Sequence, residues 1–241
     1  MNKFLIILCL FSSFVTFAES AKPFKMNLAV AYTHKRVFRG ALIWDAPIMG
    51  IGPSFVFYDT VSIGGGGFAI YKKFDKRHKI SFGSSMFDDN GPNGPVFIIK
   101  KKQENFKNKR LGTYGAFFKY EYRFRQFFSA AISYEQDLKV HYGSYLNATL
   151  TTSIIPFITL GVVGSTGSTG ANTYAYGGEG VSGVGHTEYF ASLMLPILPY
   201  KGIFIFKVAR SKIIQEANYN ADFVRGNRKN STGTMLAMWS F

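Results

Sequence analysis

Beyond residue 18 the chain has no uninterrupted apolar run near the roughly 18 residues that a membrane-spanning helix needs. Yet only 17% of its residues are charged and 47% are hydrophobic, so a large apolar surface has to meet something other than water. What the sequence carries instead is alternation. Stretches of about ten residues place an apolar or aromatic side chain at every second position and end in turn residues. Lipid offers no partners for backbone N–H and C=O groups, so a chain that crosses it in strands has to close them into a barrel.

The alternating stretches fall at residues 24–32, 54–58, 63–71, 80–87, 111–122, 127–134, 142–152, 157–165, 186–195, 202–211 and 232–241. Single-chain bacterial barrels have an even number of strands. Reading residues 95–100 as a further strand restores parity, with the Asp-, Asn-, Gly- and Pro-rich segment 88–94 as the turn before it. The expected fold is therefore all-β: a closed antiparallel transmembrane β-barrel of about twelve strands, ten if two of the short segments are not strands. It would occupy residues 19–241 as one domain.

Residues 1–18 read as a signal peptide: Lys3, an apolar core over 4–10 that continues to Phe17, then Thr16 and Ala18 flanking a small-residue cleavage site. The only cysteine, Cys9, lies inside that segment. The last alternating stretch puts Phe241, Trp239, Ala237 and Met235 on one face and Ser240, Met238, Leu236 and Thr234 on the other. The first set should meet lipid. A terminal aromatic on a closing strand resembles the signal that barrel-assembly machinery reads in outer-membrane proteins, which marks Phe241 and Trp239 as an assembly signal. With both ends in the periplasm, the long external loops are 212–231, 166–185 and 33–52, and the Gly/Ser/Thr-rich segment from Gly164 should be mobile.

The net charge of +14 raises nucleic acid as a partner. The lysines and arginines, however, cluster at segment ends (72–79, 100–110, 225–229), and no recognition-helix or zinc-ligand pattern accompanies them. They read as rims facing outer-membrane lipid, lipopolysaccharide or periplasmic polymer, with no nucleic acid. The location implied is the outer membrane of a Gram-negative cell.

Candidate chemistry is thin. Of His34, His78, His141 and His186, only His186 has a carboxylate at strand spacing, Glu188, two residues away and on the same face, while Thr187 points the other way. A nucleophile would have to come from another strand. That is the whole case for a lipid-modifying enzyme, and no enzymatic activity is expected. Asp59 and Asp88-Asp89 have turn neighbours. Gly64 to Gly67 lack the helix and Lys-Ser/Thr pair of a phosphate loop and read as a bent strand. No metal or cofactor site is expected.

At Val37-Phe-Arg-Gly40, Asp45-Ala-Pro47 and the aromatic run from Pro53 to Tyr58, the chain resembles the MltA-interacting protein (MipA/OmpV) family of outer-membrane proteins. The Gly-rich stretch from Gly64 to Tyr71, the patterns over 77–89 and 109–112, and Phe241 follow the same likeness. The resemblance implies an outer-membrane barrel acting as a scaffold that joins a murein transglycosylase to a peptidoglycan synthase, with no catalytic residues. The residues themselves leave a second class open: a small pore preferring anions, with inward cations such as Lys119, which points away from Phe118 and Tyr120.

Overall fold

The computed structural model describes residues 23–44, 47–64, 66–87, 96–98, 111–125, 127–198, 202–221, 223–224 and 228–241. The signal segment 1–18 lies outside these residues. The strands are β1 (Phe24–Thr33), β2 (Arg36–Phe38), β3 (Ala41–Trp44), β4 (Ile48–Phe57), β5 (Val61–Gly64), β6 (Gly67–Lys73), β7 (His78–Phe87), β8 (Val96–Ile98), β9 (Thr113–Arg125) and β10 (Phe128–Asp137). They continue as β11 (Ser144–Ile155), β12 (Ile158–Gly167), β13 (Gly183–Leu198), β14 (Gly202–Ile213) and β15 (Lys229–Ser240). Among the described residues two helices, Thr169–Tyr176 and Glu216–Tyr219, sit in the connections after β12 and β14.

Twelve of the strands form an antiparallel ring. The order β1-β15-β14-β13-β12-β11-β10-β9-β7-β6-β5-β4 is closed by a second pairing of β1 with β4, in which Phe24 to Thr33 face Phe57 to Ile48 over ten positions. Closure leaves no sheet edge, which is how a strand architecture satisfies its backbone in lipid. Direct cross-strand partners share a face, so the lateral pairs sort the wall. Leu28–Trp239, Phe82–Phe118, Tyr134–Phe118, Leu150–Val162 and Val208–Gly233 lie on one face. Many large apolar side chains of that face are exposed, among them Phe24, Phe55, Phe68, Phe118, Ile132, Leu150, Tyr189 and Met235. It is an apolar belt. The other face, which carries Ser133, Lys119, Asn147, Glu188 and Lys207, encloses a polar lumen.

At one end the turns at residues 58–60, 74–77 and 156–157 are short, and β9 to β10 and β13 to β14 follow one another closely in sequence. At Tyr58 and Asp59 the chain has φ of 49° and 51°, and the Thr60 N–H donates to the Phe57 carbonyl at 2.9 Å, the two-residue geometry that fits the strand twist. The ends of β1 and β15 meet at the same side, where the Phe241 N–H donates to the Met26 carbonyl at 2.8 Å. The opposite end carries the long connections.

Two strand expectations change. Residues 63–71 are not one bent strand. The chain turns at the glycines, with Gly64 at φ 156° and Gly66 at φ 83°, and β5 pairs back on β6. Only glycine takes these angles freely. The segment 95–100, expected to supply the even strand, gives β8, which pairs Val96 to Ile98 with Gly50 to Ile48 of β4 and, among the described residues, with no other wall strand. The count of twelve thus comes from the glycine turn. Because β5 and β6 are short, the wall has a notch on the long-loop side, and β8 lies against the part of β4 that β5 does not reach. The 54–58 strand also begins earlier, at Ile48: Pro53, which cannot donate to a ladder, stands between the end of the β8 pairing at Gly50 and the start of the β5 pairing at Ser54.

Candidate functional site: a plugged lumen and its basic vestibule

The connection between β1 and β4 does not loop outward. Arg39 and Gly40, at φ 49° and 84°, turn β2 onto β3, and the hairpin enters the barrel. Ala41 and Ile43 are buried. The approach at its tip requires glycine, since a Cβ on Gly40 would stand 3.0 Å from the Cβ of His186 and 3.2 Å from Ile213. The Gly40 carbonyl accepts from Asn230 Nδ2 at 2.7 Å, and the Arg39 carbonyl accepts from the Tyr176 hydroxyl at 2.9 Å.

Arg39 then reaches across. Its guanidinium lies 3.7 Å over the Tyr145 ring and 3.4 Å from Glu135, on β11 and β10, and β10 stands six strands from β1 in either direction round the ring. The helix Thr169–Tyr176 completes the plug. Ser168 caps it, accepting the Ala171 N–H, and it buries Ala171, Tyr174, Ala175 and Tyr176. Tyr174 meets Phe38 and Phe87 edge-on and donates to the Leu111 carbonyl at 2.6 Å, while Phe38 stacks on Phe87 with centroids 4.0 Å apart. Ala41, Ala175, Tyr176, Ile213 and Val224 form one apolar cluster. The cluster thereby ties the β1–β4, β12–β13 and β14–β15 connections to β14 at the long-loop end.

His186 belongs to this plug. It is buried, and its Nδ1 is 2.8 Å from both the Tyr145 hydroxyl and the Ser165 hydroxyl. A serine from a neighbouring strand does therefore stand beside this histidine. Its Oγ, however, also accepts the His186 N–H and donates to the His186 carbonyl, both at 2.9 Å, and Ser165 is itself buried. Glu188 does not orient the imidazole: it accepts from Lys207 Nζ at 3.0 Å and from Ser211 at 3.1 Å. The arrangement holds Gly40 and Tyr145 in place. Of the other histidines, His34 Nδ1 accepts the Gly233 N–H at 2.8 Å, and His78 Nδ1 lies 2.7 Å from the Tyr120 hydroxyl on the outer wall.

The short-turn end is different. A cavity of about 570 Å³ opens there, lined by Lys73, Lys76, Arg77, Lys79, Lys119 and Arg123. Only two carboxylates, Asp75 and Glu121, stand against these six cations. Asp75 serves the turn, accepting the Arg77 and His78 N–H groups at 2.6 and 2.7 Å. Those bonds hold its carboxyl below the usual carboxylate range. Glu121 stands between two ammoniums, 2.6 Å from Lys119 Nζ and 3.8 Å from Lys79 Nζ. Among the described residues, Lys73 and Arg123 have no carboxylate within ion-pair distance. Hydroxyls of Ser129, Thr149 and Thr151 complete the lining. Such a site attracts anions and offers donors to their oxygens.

Lys119 thus points inward, as its alternation with Phe118 and Tyr120 implies. Trp239 pairs with Leu28 on the lipid-facing side, and Ser240 pairs with Asn27 on the lumen side. The cation that most shapes the lumen, Arg39, appears in the sequence only within an aromatic-Arg-Gly run, and nothing in that run says that it folds inward.

No family profile matches the chain, and no curated protein matches it. Among solved structures, the chain is similar to a KdgM porin in complex with disordered oligogalacturonate, at 10% identity and a TM-score of 0.43, covering 90% of this chain and 99% of that one. It is similar to the NanC porin at 10% identity and 0.42, over 88% and 97%. An outer membrane channel from Pseudomonas putida F1 follows at 6% identity and 0.47, over 94% and 98%.

Proposed function

We propose that this chain is an outer-membrane barrel that passes small anionic solutes, with its lumen closed at the external end by the Arg36–Trp44 region and the Thr169–Tyr176 helix. One observation carries the reading: the six cations against two carboxylates at the mouth of the lumen, an excess that a purely structural barrel does not need. Rings of Lys and Arg favour anions. The apolar belt supports a place in a bilayer, and the short turns with both terminal strands at one end support a periplasmic orientation of that end. The test is the reversal potential of the purified barrel in a planar bilayer under a salt gradient. Anion preference, reduced in Lys119→Gln/Arg123→Gln, supports the reading. A cation-side reversal potential for the unmodified barrel would overturn it.

A second reading has its own support. A lumen shut by a packed plug also suits a scaffold, the role implied by the resemblance to the MltA-interacting family, with a murein transglycosylase and a peptidoglycan synthase as partners at the periplasmic rim. Capture of either enzyme from solubilised envelopes above a control barrel is its test, and a silent but folded barrel in the bilayer would favour it over the channel.

A further inference from the structure

On the outer wall, Lys212 of β14 and Lys229 of β15 stand directly opposite one another. They share the lipid-facing side, because their neighbours Ser211 and Asn230 pair inward and are buried. Arg210, two residues from Lys212 and exposed, lies on the same face opposite Ser231. Like charges facing across a strand pair destabilise the pair, and among the described residues no carboxylate lies within ion-pair distance of these three cations. They sit at the long-loop ends of their strands. Immediately below them, a groove of about 650 Å³ runs from Arg210 and Ser231 past Val208 and Tyr189 toward Leu160, with Gly233 and Ala191 leaving its floor low. A cluster of unpaired cations above an apolar groove on a bilayer-facing wall calls for one kind of molecule, an amphiphile with anionic groups above an acyl chain.

We infer that this face binds the phosphorylated glycolipid of the outer leaflet, with its phosphates on Arg210, Lys212 and Lys229 and one acyl chain in the groove beside Tyr189. The inference rests on the membrane orientation proposed above, in which the long connections are external, and not on conduction. Charge complementarity favours this lipid over a zwitterionic one, and the level of the cations favours an outer-leaflet source.

The test is thermal unfolding of the full-length barrel, followed by heat-modifiable mobility, in neutral detergent with and without added diphosphoryl lipid A. Lipid A is expected to raise the unfolding temperature of the unmodified barrel and to leave that of Lys212→Gln/Lys229→Gln unchanged. Without lipid, the double variant should be the more stable of the two because the repulsion is gone. Tyr189→Ala should weaken the response while keeping its dependence on phosphate. An equal response to dephosphorylated lipid A or to phosphatidylglycerol, or an undiminished response in the double variant, would overturn the site. These substitutions lie outside the lumen, so channel selectivity should not change in them, and a failure of the channel reading would leave this result standing.

Discussion

Arg39 and Glu135 meet at 3.4 Å across the middle of a ring in which their parent segments lie on opposite sides. The Arg39 side chain is only 7% exposed, while that of Glu135 is 38% exposed, so solvent screens the ion pair and the pair itself contributes little. The larger share comes from the guanidinium over Tyr145 and beside Phe38, at 3.7 and 4.8 Å from their centroids. A desolvated contact of this kind is worth about 2 kcal/mol. Arg39→Ala should therefore destabilise the plug by roughly that amount, and Glu135→Gln by much less. Hydrogen exchange of β2 and β3 distinguishes the two. Arg39→Lys should not rescue, because an ammonium does not stack as a planar guanidinium does.

Gly40→Ala should expel the hairpin tip. It adds a left-handed penalty of about 1 kcal/mol to tight contacts, 3.0 Å with His186 and 3.2 Å with Ile213, both of which are buried. The expected result is greater protease sensitivity within residues 36–44 while the barrel keeps its heat-modifiable mobility.

Acidification should loosen the loop between β10 and β11. Asp137 holds that loop, accepting the N–H groups of Lys139, Val140, His141 and Tyr142 at 3.1, 2.8, 2.9 and 3.1 Å, and it also accepts from the Thr113 hydroxyl. Burial pushes His141 below the ordinary imidazole value. The nearby Asp137 carboxylate opposes this shift without overcoming it, and Arg39 adds to it. His141 Nδ1 also accepts the Gly143 N–H at 3.0 Å, a bond that a proton on Nδ1 would abolish. A histidine held below its unfolded value contributes stability that is present above that value and is lost as pH falls through the folded one. Protection of residues 138–143 against exchange, taken relative to the intrinsic rate at each pH, should therefore fall as pH drops below the ordinary imidazole value, and His141→Gln should flatten the dependence.

At the closing seam, Phe241 exchanges two backbone hydrogen bonds with Met26, at 2.8 and 3.2 Å. Deleting it leaves part of β1 unpaired in lipid, where each unmet group costs several kcal/mol, so folded protein in outer-membrane fractions should fall and periplasmic degradation should rise. Trp239→Asp puts a charge on the lipid face beside Leu28 and should also reduce folding. Ser240→Asp faces the lumen and should be milder. Equal folding of these two variants would contradict the facing assignment.

Much of the wall was legible in the sequence because alternation survives wherever one face meets lipid and the other water. The 202–211 and 80–87 stretches fall wholly on strands, and 157–165 does so from Ile158 onward. Failures came where tertiary contacts override local preference. The segment from Gly164 looks mobile, yet residues 158–167 are β12, and after Ser168 eight residues, all but the two alanines poor helix formers, make the helix Thr169-Gly-Ala-Asn-Thr-Tyr-Ala-Tyr176. Burial of Tyr176 and Ala175 in the plug holds that helix. Residues 33–52 read as an external loop, because a three-residue strand and a turn with Arg at φ 49° leave no periodic signal. Lys119 was found because its neighbours on either side are aromatic. Arg39 has an aromatic on one side only, Phe38, with Gly40 on the other, and the partners that place it, Tyr145 and Glu135, are about a hundred positions away.

The most direct measurement of the central claim is single-channel recording from the unmodified barrel and from a variant in which residues 36–43 are replaced by a short Gly/Ser linker, both checked for folding by heat-modifiable mobility. The account predicts rare or small steps for the first and larger, frequent steps for the second, with a reversal potential on the anion side in both. Absence of conductance in a correctly folded, hairpin-free barrel, or a cation-side reversal potential, would contradict it.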